Sequence, residues 1–482
     1  MSPFFLFSFV IAYFVLLLVV AYFTSRNSTN ESFFIGNKSS NWMLVAFGMI
    51  GTSLSGVTFV SVPGTVGINA FGYMQVVFGY LLGYFVVAYV LLPLYYRLNL
   101  TSIYNYLHDR FGIVAYKTGA LFFIISRTVG ATARLYLVIN VIQLFILDKM
   151  HVPFWLTAIV ILIMILLYTF EGGVKTIVYT DTLQTSFMLL GLAVCIIYIM
   201  NNLGFSFSHT MTALNEKGFT HIFNTDINSK GFFIKQIVGG AFITIAMTGL
   251  DQEMMQKNIS VKNLKDSQKN MISFSVIIVF VNFLFLLLGG LLYLYASNKG
   301  LAVKGDDLFP TIAINQLPQA ISIIFIIGLV SALFPSADGA LTALTSSFCI
   351  DIIGLKRNME WSDKQKKKIR MAVHLCFSVL FLLCIWYFKV VNDKSIITKI
   401  LDLAGYTYGP LLGLFAFGIL TKRKFPDTYV VTIICLISPI ICYFLSLHAK
   451  DWFGGFQIGI ELLVINGLIT FLGLLMISKK SV

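Results

Sequence analysis

Long apolar stretches are the feature that most constrains what this chain can fold into. About 20 consecutive apolar residues cross the hydrocarbon core of a bilayer as one helix. The 482-residue sequence contains thirteen such stretches, at about 4–23, 42–66, 70–96, 116–147, 153–170, 177–201, 232–256, 272–297, 311–350, 370–389, 398–420, 428–447 and 456–477. Helices satisfy their own backbone hydrogen bonds in lipid, and the alternating segments of an outer-membrane barrel are missing. The sequence therefore predicts an all-α polytopic membrane protein with about 13 transmembrane helices.

Composition excludes the soluble classes of protein. The chain is 58% hydrophobic and 11% charged, whereas a soluble domain has about 25% charged residues. The net charge of +13 is interpreted as basic residues on cytoplasmic loops, so we expect a lipid bilayer and no nucleic acid as partner. The six cysteines lie in apolar stretches without a metal-binding spacing, which indicates neither a metal site nor a redox function.

The distribution of basic residues predicts the orientation. One alternate set of connections carries 22 Lys and Arg residues, and the opposite set carries nine. The richer side is expected in the cytoplasm, which places the N-terminus outside and the C-terminus inside a bacterial-type inner, or cell, membrane. The first span has no basic segment before it and no cleavage site, so we interpret it as a retained helix. Three basic residues fall within spans, namely Arg127, Arg134 and Lys235.

The order of the spans predicts two structural repeats. Without the first span and the last two, ten spans remain, and a polar external loop at 202–231 divides them into five and five. A repeated unit with an odd number of spans has inverted topology, which is common in secondary transporters. We therefore divide the chain into an extra helix and loop (1–41), a first repeat (42–201), the external loop (202–231), a second repeat (232–420) and two extra helices (421–482).

Two spans carry residues that interrupt a helix. The second span contains the small and hydroxyl residues of Gly51–Thr58, which indicate either a broken helix with free carbonyls or close helix packing. In the ninth span, Pro335 cannot donate a hydrogen bond to the carbonyl of Ser331. Ser336 and Asp338 follow it, and such oxygen ligands suit a hard cation such as Na⁺. The alternative is a proline kink with Asp338 paired to a basic neighbour.

Charges in two other spans need partners. Arg127 and Arg134 lie on nearly one face of the fourth span, and we expect internal pairing for Arg127 and either pairing or a substrate carboxylate for Arg134. The end of the seventh span, Thr248–Lys257, is predicted to form a solvated gate or salt bridges at the cytoplasmic side. Nucleotide-binding, zinc-protease and serine-hydrolase motifs are absent from the sequence, so we do not expect an enzyme.

Five stretches resemble the sodium:solute symporter family, whose members transport sugars, proline, pantothenate, iodide or sialic acid. They are Gly51–Gly64, Leu92–Gly112, Glu171–Gln184, Gly249–Lys257 and Ser336–Asp351, in the family order and spread over most of the chain. The resemblance implies a leucine-transporter-like fold of two inverted five-helix repeats. It also implies Na⁺-driven uptake of a solute by alternating access.

The resemblance also implies site residues. Matched by position, the common sodium site comprises Gly51, Leu54, Ala332, Pro335 and Ser336, although the family usually has a hydroxyl residue where this chain has Pro335. The freed carbonyl of Ser331 can substitute for that hydroxyl. A second cation site, present in some members, corresponds to Asp181, Asp338 and Gly339. The candidate solute-binding residues are Ser53, Ser55, Thr58, Gln75, Arg134, Thr244, Met247 and Asp402, and Arg134 matches an arginine that holds a carboxylate in sialic acid transporters.

The sequence thus predicts a Na⁺-coupled symporter of a small polar organic solute, such as a sugar, sialic acid, amino acid or carboxylate. Sodium is the expected cofactor and a monomer the expected assembly. Two alternatives stay open. One is a proton-coupled or uncoupled carrier of the same fold, favoured by Pro335, and the other is a membrane sensor, disfavoured because few residues follow the last span.

Overall fold

The protein is all-helical in the part that the computed structural model describes, which is residues 3–25, 33, 40–355, 357, 360–391 and 396–480. The side chains at 3, 170–172, 175 and 396–401 lie outside that description. The helices are α1 Pro3–Ser25, α2 Trp42–Ser53, α3 Gly56–Asn69, α4 Tyr73–Arg97, α5 Asn105–Phe111, α6 Ile113–Met150, α7 Phe154–Leu203, α8 Phe207–Glu216, α9 Phe233–Gly249, α10 Gln252–Ile259, α11 Leu264–Asn298, α12 Leu308–Asn315, α13 Gln319–Ile353, α14 Asp363–Val391, α15 Ile396–Thr407, α16 Gly409–Leu420, α17 Val430–Trp452 and α18 Leu462–Ile477.

The helices account for the apolar stretches of the sequence. Among the described residues, 8 helices are long and apolar enough to cross a membrane, and two bent pairs, α2 with α3 and α9 with α10, raise that number to 10. Shorter apolar helices occupy Phe154–Thr169, Gly409–Leu420 and Leu462–Ile477. Every predicted span therefore contains helix, and the predicted all-helical multi-pass membrane fold is confirmed, while the number of crossings stays a prediction.

Two spans are broken near their middle. The chain bends by 56° between α2 and α3 and by 65° between α9 and α10. At the second bend, the carboxylate of Asp251 accepts hydrogen bonds from the backbone N–H groups of Glu253 and Met254, so it caps the new helix start. These interrupted helices begin the two predicted repeats.

Glycines allow close contact between α4 and α9. A Cβ atom on Gly79 would collide with the carbonyl of Ile237, and one on Gly240 would collide with the carbonyl of Val76. Small residues on both helices therefore bring the two backbones together, as is common between membrane helices. This contact joins the second helix of one predicted repeat to the first helix of the other.

The segment α7 comprises two helices that meet at a kink at Gly173, where φ is +56°, so the predicted fifth and sixth spans are separate helices as expected. Two other features differ in detail from the sequence-based prediction. The external loop contains the 10-residue helix α8. The predicted ninth span is divided into the short α12 and the long α13, because Pro318 stands directly before α13 and favours a helix start there.

Candidate functional site

The break between α2 and α3 exposes backbone oxygen atoms inside the protein. Leu54 and Ser55 leave the helical conformation, with ψ angles of 47° and 174°. The last four carbonyls of a helix have no partner within it. The N–H of Leu54 bonds to the carbonyl of Ile50, so the carbonyls from Gly51 to the end of α2 have no partner within the helix. Gly51 itself is held by its N–H, which donates to the hydroxyl of Thr185 on α7 over 3.0 Å.

Helix α13 packs against this break at the residues predicted to share the sodium site. A Cβ atom placed on Gly56 would lie 3.8 Å from the carbonyl oxygen of Ala332. Four residues further along α13, the hydroxyl of Ser336 is buried, with the residue 1% exposed, and has no hydrogen-bond partner among the described residues. Pro335 lies inside α13 and lacks the N–H that would bond to the carbonyl of Ser331.

This donor set fits a sodium ion. The groups are backbone carbonyls and a hydroxyl, which are the oxygen ligands that hard cations prefer. A buried hydroxyl without a partner is costly unless a ligand or water satisfies it. The break in α2–α3 and the unpartnered Ser336 therefore form a candidate cation site, in which Gly51, Leu54, Ala332 and the Ser331–Pro335 turn would hold the ion.

Residues of the same break, Ser53, Leu54 and Ser55, line a cavity. It contains about 800 Å³ of space between atoms, including solvent at its mouth. Of the predicted solute residues, Ser53, Ser55, Thr58, Arg134, Thr244 and Met247 line this cavity. Hydroxyl groups dominate the polar part of the wall, which suits a solute with several hydrogen-bonding groups.

The structure adds tyrosines that sequence reasoning missed. Tyr73, Tyr80 and Tyr84 on α4 line the cavity. The hydroxyls of Tyr73 and Tyr80 lie 3.3 Å apart, and that of Tyr84 lies 3.4 Å from the hydroxyl of Ser53. The chain has 22 tyrosines, and only their shared spacing on α4 could have indicated that these three face one site.

Arg134 is a basic residue of α6 that reaches the cavity wall and has no partner among the described residues. Its guanidinium lines the cavity and makes no hydrogen bond or ion pair with any described residue. A buried or half-buried cation without a partner is unfavourable, and a carboxylate is the group that an arginine binds best. The cavity can therefore accept an anionic group next to its hydroxyls.

Gln75 and Asp402 lie outside this cavity wall. The side chain of Gln75 bonds to the carbonyl of Gly72 and accepts from the backbone N–H of Asn224 over 3.1 Å. It therefore ties the external loop to the start of α4. Asp402 belongs to α15, whose residues Leu403, Ala404 and Thr407 line a separate small pocket together with Arg134 and Met247. Helix rotation, which the sequence does not specify, decides both placements.

A network of buried charges lies under the cavity. Arg127 forms an ion pair with Glu253, and Asp251 lies 3.9 Å from its guanidinium. The ammonium of Lys257 lies 2.6 Å from the carboxylate of Asp181 and 3.5 Å from that of Glu253. All five residues are buried. Internal pairing of Arg127 is as predicted. Of the two roles expected for Thr248–Lys257, a solvated gate or salt bridges, the structure shows buried salt bridges, because α6, α7 and α13 cover α10.

Hydroxyl groups extend the network to further helices. Thr52 on α2 lies 3.1 Å from the carboxylate of Asp181 and 2.6 Å from the ammonium of Lys257. Tyr408, just before α16, donates to the carboxylate of Asp251 over 2.9 Å. Helix α10 is therefore connected to α2, α6, α7 and the end of α15 by polar contacts.

The residues of the predicted second cation site have protein partners. One carboxylate oxygen of Asp181 bonds to Lys257, and the other has no partner in the part of the chain that the structure describes. Asp338 accepts a hydrogen bond from the hydroxyl of Tyr168 over 2.7 Å. Its own chain neighbour Gly339 packs directly against the side chain of Glu253. Asp338 is thus fully buried with a hydroxyl partner, and no basic residue of the described part forms an ion pair with it.

Comparisons with known proteins match this architecture. A sequence model of the sodium:solute symporter family matches residues 33–426. The sodium/sialic acid symporter SiaT of Proteus mirabilis is 24% identical over 476 residues, covering 94% of this chain and 92% of its own. The sodium/sialic acid symporter NanT of Aliivibrio fischeri is 22% identical, covering 94% and 90%.

Solved structures show the same fold. A Na⁺-coupled sialic acid symporter in its substrate-bound outward-open state superposes with a TM-score of 0.83 at 19% identity, over 99% of both chains. The nucleobase-cation-symport-1 family transporter Mhp1, in a closed conformation with bromovinylhydantoin bound, gives a TM-score of 0.54 at 12% identity over 93% of both. At these identities the likeness establishes the arrangement of helices alone.

Proposed function

This chain belongs to the sodium:solute symporter family, and on that premise we propose that it takes up an acidic, polyhydroxylated solute together with Na⁺. Family membership makes it a multi-pass membrane transporter rather than an enzyme, with Na⁺ and a small solute as its ligands. The observation that carries the proposal is the broken helix α2–α3, which α13 approaches at Ala332 and which also lines the cavity.

Sodium is proposed to bind between the α2–α3 break and α13. Its ligands would be the carbonyls of Gly51, Leu54 and Ala332, the hydroxyl of Ser336, and the Ser331 carbonyl that Pro335 leaves free. An ion at this position favours whichever arrangement of the helices brings the donors together. The ion thereby biases the conformational equilibrium, which is how an ion gradient is coupled to solute movement.

The solute class is proposed from Arg134 and the hydroxyl-rich wall. The guanidinium would bind a carboxylate, while Ser53, Ser55, Thr58 and Thr244 would bind hydroxyl or amide groups. Met247 supplies an apolar surface in place of the polar group that a sugar site would use. The two relatives named above transport sialic acids, which carry one carboxylate and several hydroxyls, so sialic acids are the first solutes to test.

The buried network around α10 is proposed to keep the cytoplasmic side closed while the cavity accepts solute. Release to the inside requires that polar contacts between α10 and its neighbours separate. The charged groups in those contacts are buried, so in the opened state each of them would need either water or another charged group as its partner. The two predicted repeats, 42–201 and 232–420, would move relative to one another around the site.

A second cation remains a proposal for Asp338 together with Gly339. Asp181 already has an ammonium partner in Lys257, so Asp338 is the carboxylate that an added cation would neutralise. Transport of one Na⁺ per solute would argue against this second site. The number of Na⁺ ions transported per solute molecule is obtained by measuring the solute gradient that a known sodium gradient supports.

The remaining properties are proposed from the sequence. The protein would lie in a bacterial-type inner membrane, with its N-terminus outside and its C-terminus in the cytoplasm, and would act as a monomer without nucleic acid. Accessibility of single cysteines placed in the loops tests the orientation, provided that the native Cys376, which is exposed, is first replaced.

The proposed function is tested by uptake into proteoliposomes. A thermal-shift screen with sialic acids, sugars, amino acids and monocarboxylates, with and without sodium, selects the solute. Uptake is then measured with an inward sodium gradient and with choline in place of sodium, at two pH values. Loss of uptake in choline at both pH values is expected. Uptake that follows pH and ignores sodium would instead favour the proton-coupled alternative, and solute binding without transport would favour a sensor.

A further inference from the structure

A second cleft lies between the ends of α4 and α16, away from the solute cavity. It contains about 1170 Å³ of space, open to the surroundings. Four basic residues line it, namely Arg97, Arg110, Lys422 and Lys424. We call it the basic cleft. Together with an apolar wall that begins at Val90 and Leu94, these residues make it an amphipathic surface.

The positive charge in the basic cleft has no internal counter-charge. The lining contains neither Asp nor Glu, and within the described ranges none of the four basic residues forms an ion pair with a carboxylate. Arg110 is fixed by hydrogen bonds to the carbonyls of Thr421 and Arg423, over 2.9 and 3.0 Å. Arg97, Lys422 and Lys424 extend from exposed positions around it.

The apolar wall continues into the lipid-facing surface. Val90 and Leu94 lie one helical turn apart on α4, and Arg97 follows at the end of the same face. Val90 is 45% exposed and Leu420, at the end of α16, is 75% exposed. Large apolar side chains at such exposure contact acyl chains in a membrane-spanning helix. The cleft therefore runs from lipid at one end to three exposed cations at the other.

We propose that the basic cleft binds an anionic phospholipid of the cytoplasmic leaflet. The phosphate of the headgroup would lie between Arg97, Lys422 and Lys424, and an acyl chain would follow Val90 and Leu94. Basic pockets between membrane helices on the cytoplasmic side bind anionic headgroups by this combination of charge and apolar contact. A free phosphate would use the charges and leave the apolar wall empty, which is why the lipid is the favoured occupant.

The placement of the cleft in the cytoplasmic leaflet rests on the orientation proposed above, but binding itself does not. The test is native mass spectrometry of the purified protein in mild detergent with equal amounts of phosphatidylglycerol and phosphatidylcholine. The variant R97Q/K422Q/K424Q removes the exposed charges of the cleft. The control K364Q/K366Q/K368Q removes the same number of charges from α14, outside the cleft.

The wild type and the control are expected to retain one phosphatidylglycerol in preference to phosphatidylcholine, and the cleft variant is expected to lose at least about tenfold in that preference. Each basic residue near an anionic lipid strengthens binding about fivefold, so three removed charges allow such a loss. Equal retention by the cleft variant and the wild type would overturn the proposal, as would an equal loss in the control.

Competition with inorganic phosphate distinguishes a lipid headgroup from a soluble anion as the ligand of the basic cleft. Millimolar phosphate at constant ionic strength is expected to leave the bound phosphatidylglycerol in place, because phosphate gains nothing from the apolar wall. Displacement of the lipid by phosphate would identify the cleft as a site for a soluble anion and overturn the lipid assignment. Because the three substituted residues are exposed, an unchanged elution volume in size-exclusion chromatography is the check on folding.

Discussion

Ser336 is the residue at which the sodium proposal is tested most directly. Its hydroxyl is buried without a partner among the described residues, one helical turn from Ala332, which approaches the α2–α3 break. Removal of one ligand weakens binding of a hard cation, so Ser336→Ala is expected to raise the half-saturating sodium concentration about tenfold, equivalent to about 1.4 kcal/mol. Maximal uptake at saturating sodium should change little. The measurement is initial uptake against sodium concentration.

A matched control for this variant lies on the same helix. Ser346 is also buried on α13, and its hydroxyl donates to the carbonyl of Thr342 within the helix. Ser346→Ala removes a hydroxyl of equal size and should leave the sodium dependence of uptake unchanged. If both variants shift it equally, the effect belongs to the packing of α13 and the assignment of Ser336 as a ligand is wrong.

Arg134 decides the class of the solute. Arg134→Gln keeps much of the side-chain volume but removes the charge that a carboxylate would bind. Loss of one partner of a buried charge pair costs at least about 2 kcal/mol, so affinity for the acidic solute found in the screen should fall by at least about 30-fold. Isothermal titration with that solute and with its neutral amide checks the result. If the variant weakens both ligands equally, Arg134 does not bind a carboxylate.

At the scale of elements, Gly56 limits how closely α3 approaches α6 and α13. A Cβ atom at Gly56 would collide with the side chain of Val138, so Gly56→Ala should displace the break from Ala332 and weaken sodium binding. Replacing Val138 by Ala removes the colliding atom, and the double variant G56A/V138A should recover most of the affinity. Thermal stabilisation by added sodium is the readout.

Gly130 provides the control for this prediction. Like Val138, it lies in α6, and a Cβ atom there would meet no described atom within 4 Å. Gly130→Ala should therefore leave stabilisation by sodium intact. Failure of G56A/V138A to recover, with the G130A protein behaving as the wild type, would mean that the approach of α3 to α13 does not determine sodium binding.

The elements were more predictable from the sequence than the site. Glycine and hydroxyl residues around Leu54 favour a broken helix because they have low helix propensity, and the structure breaks there. The direction in which Gln75 and Asp402 point depends on the rotation of α4 and α15 about their own axes, and the hydropathy pattern does not specify that rotation. The sequence could not decide between a solvated gate and salt bridges for Thr248–Lys257, because its buried partners come from α6 and α7, more than 70 positions away in sequence.

At the scale of the whole molecule, the ion pair between Lys257 and Asp181 joins the two predicted repeats. Lys257→Met leaves the carboxylate of Asp181 buried without its cation, and removal of one partner of a buried pair costs about 3 kcal/mol or more. We therefore expect a lower melting temperature of the purified protein. The double variant D181N/K257M removes both charges, and most of the stability should return because no unpaired charge remains.

The same pair of variants distinguishes a gate from a purely structural contact. If the pair holds the cytoplasmic side closed, D181N/K257M should regain stability while a cysteine placed at Ser260, which is buried beneath α10, becomes accessible to a water-soluble thiol reagent in the absence of solute. Unchanged labelling relative to the wild type in a stable double variant would show that the pair supports folding without closing the pathway. The two outcomes differ in the accessibility of the cysteine at position 260. Removing contacts that only stabilise the fold leaves the cytoplasmic side closed, whereas removing contacts that form a gate lets water reach the pathway, as it would each time the solute is released.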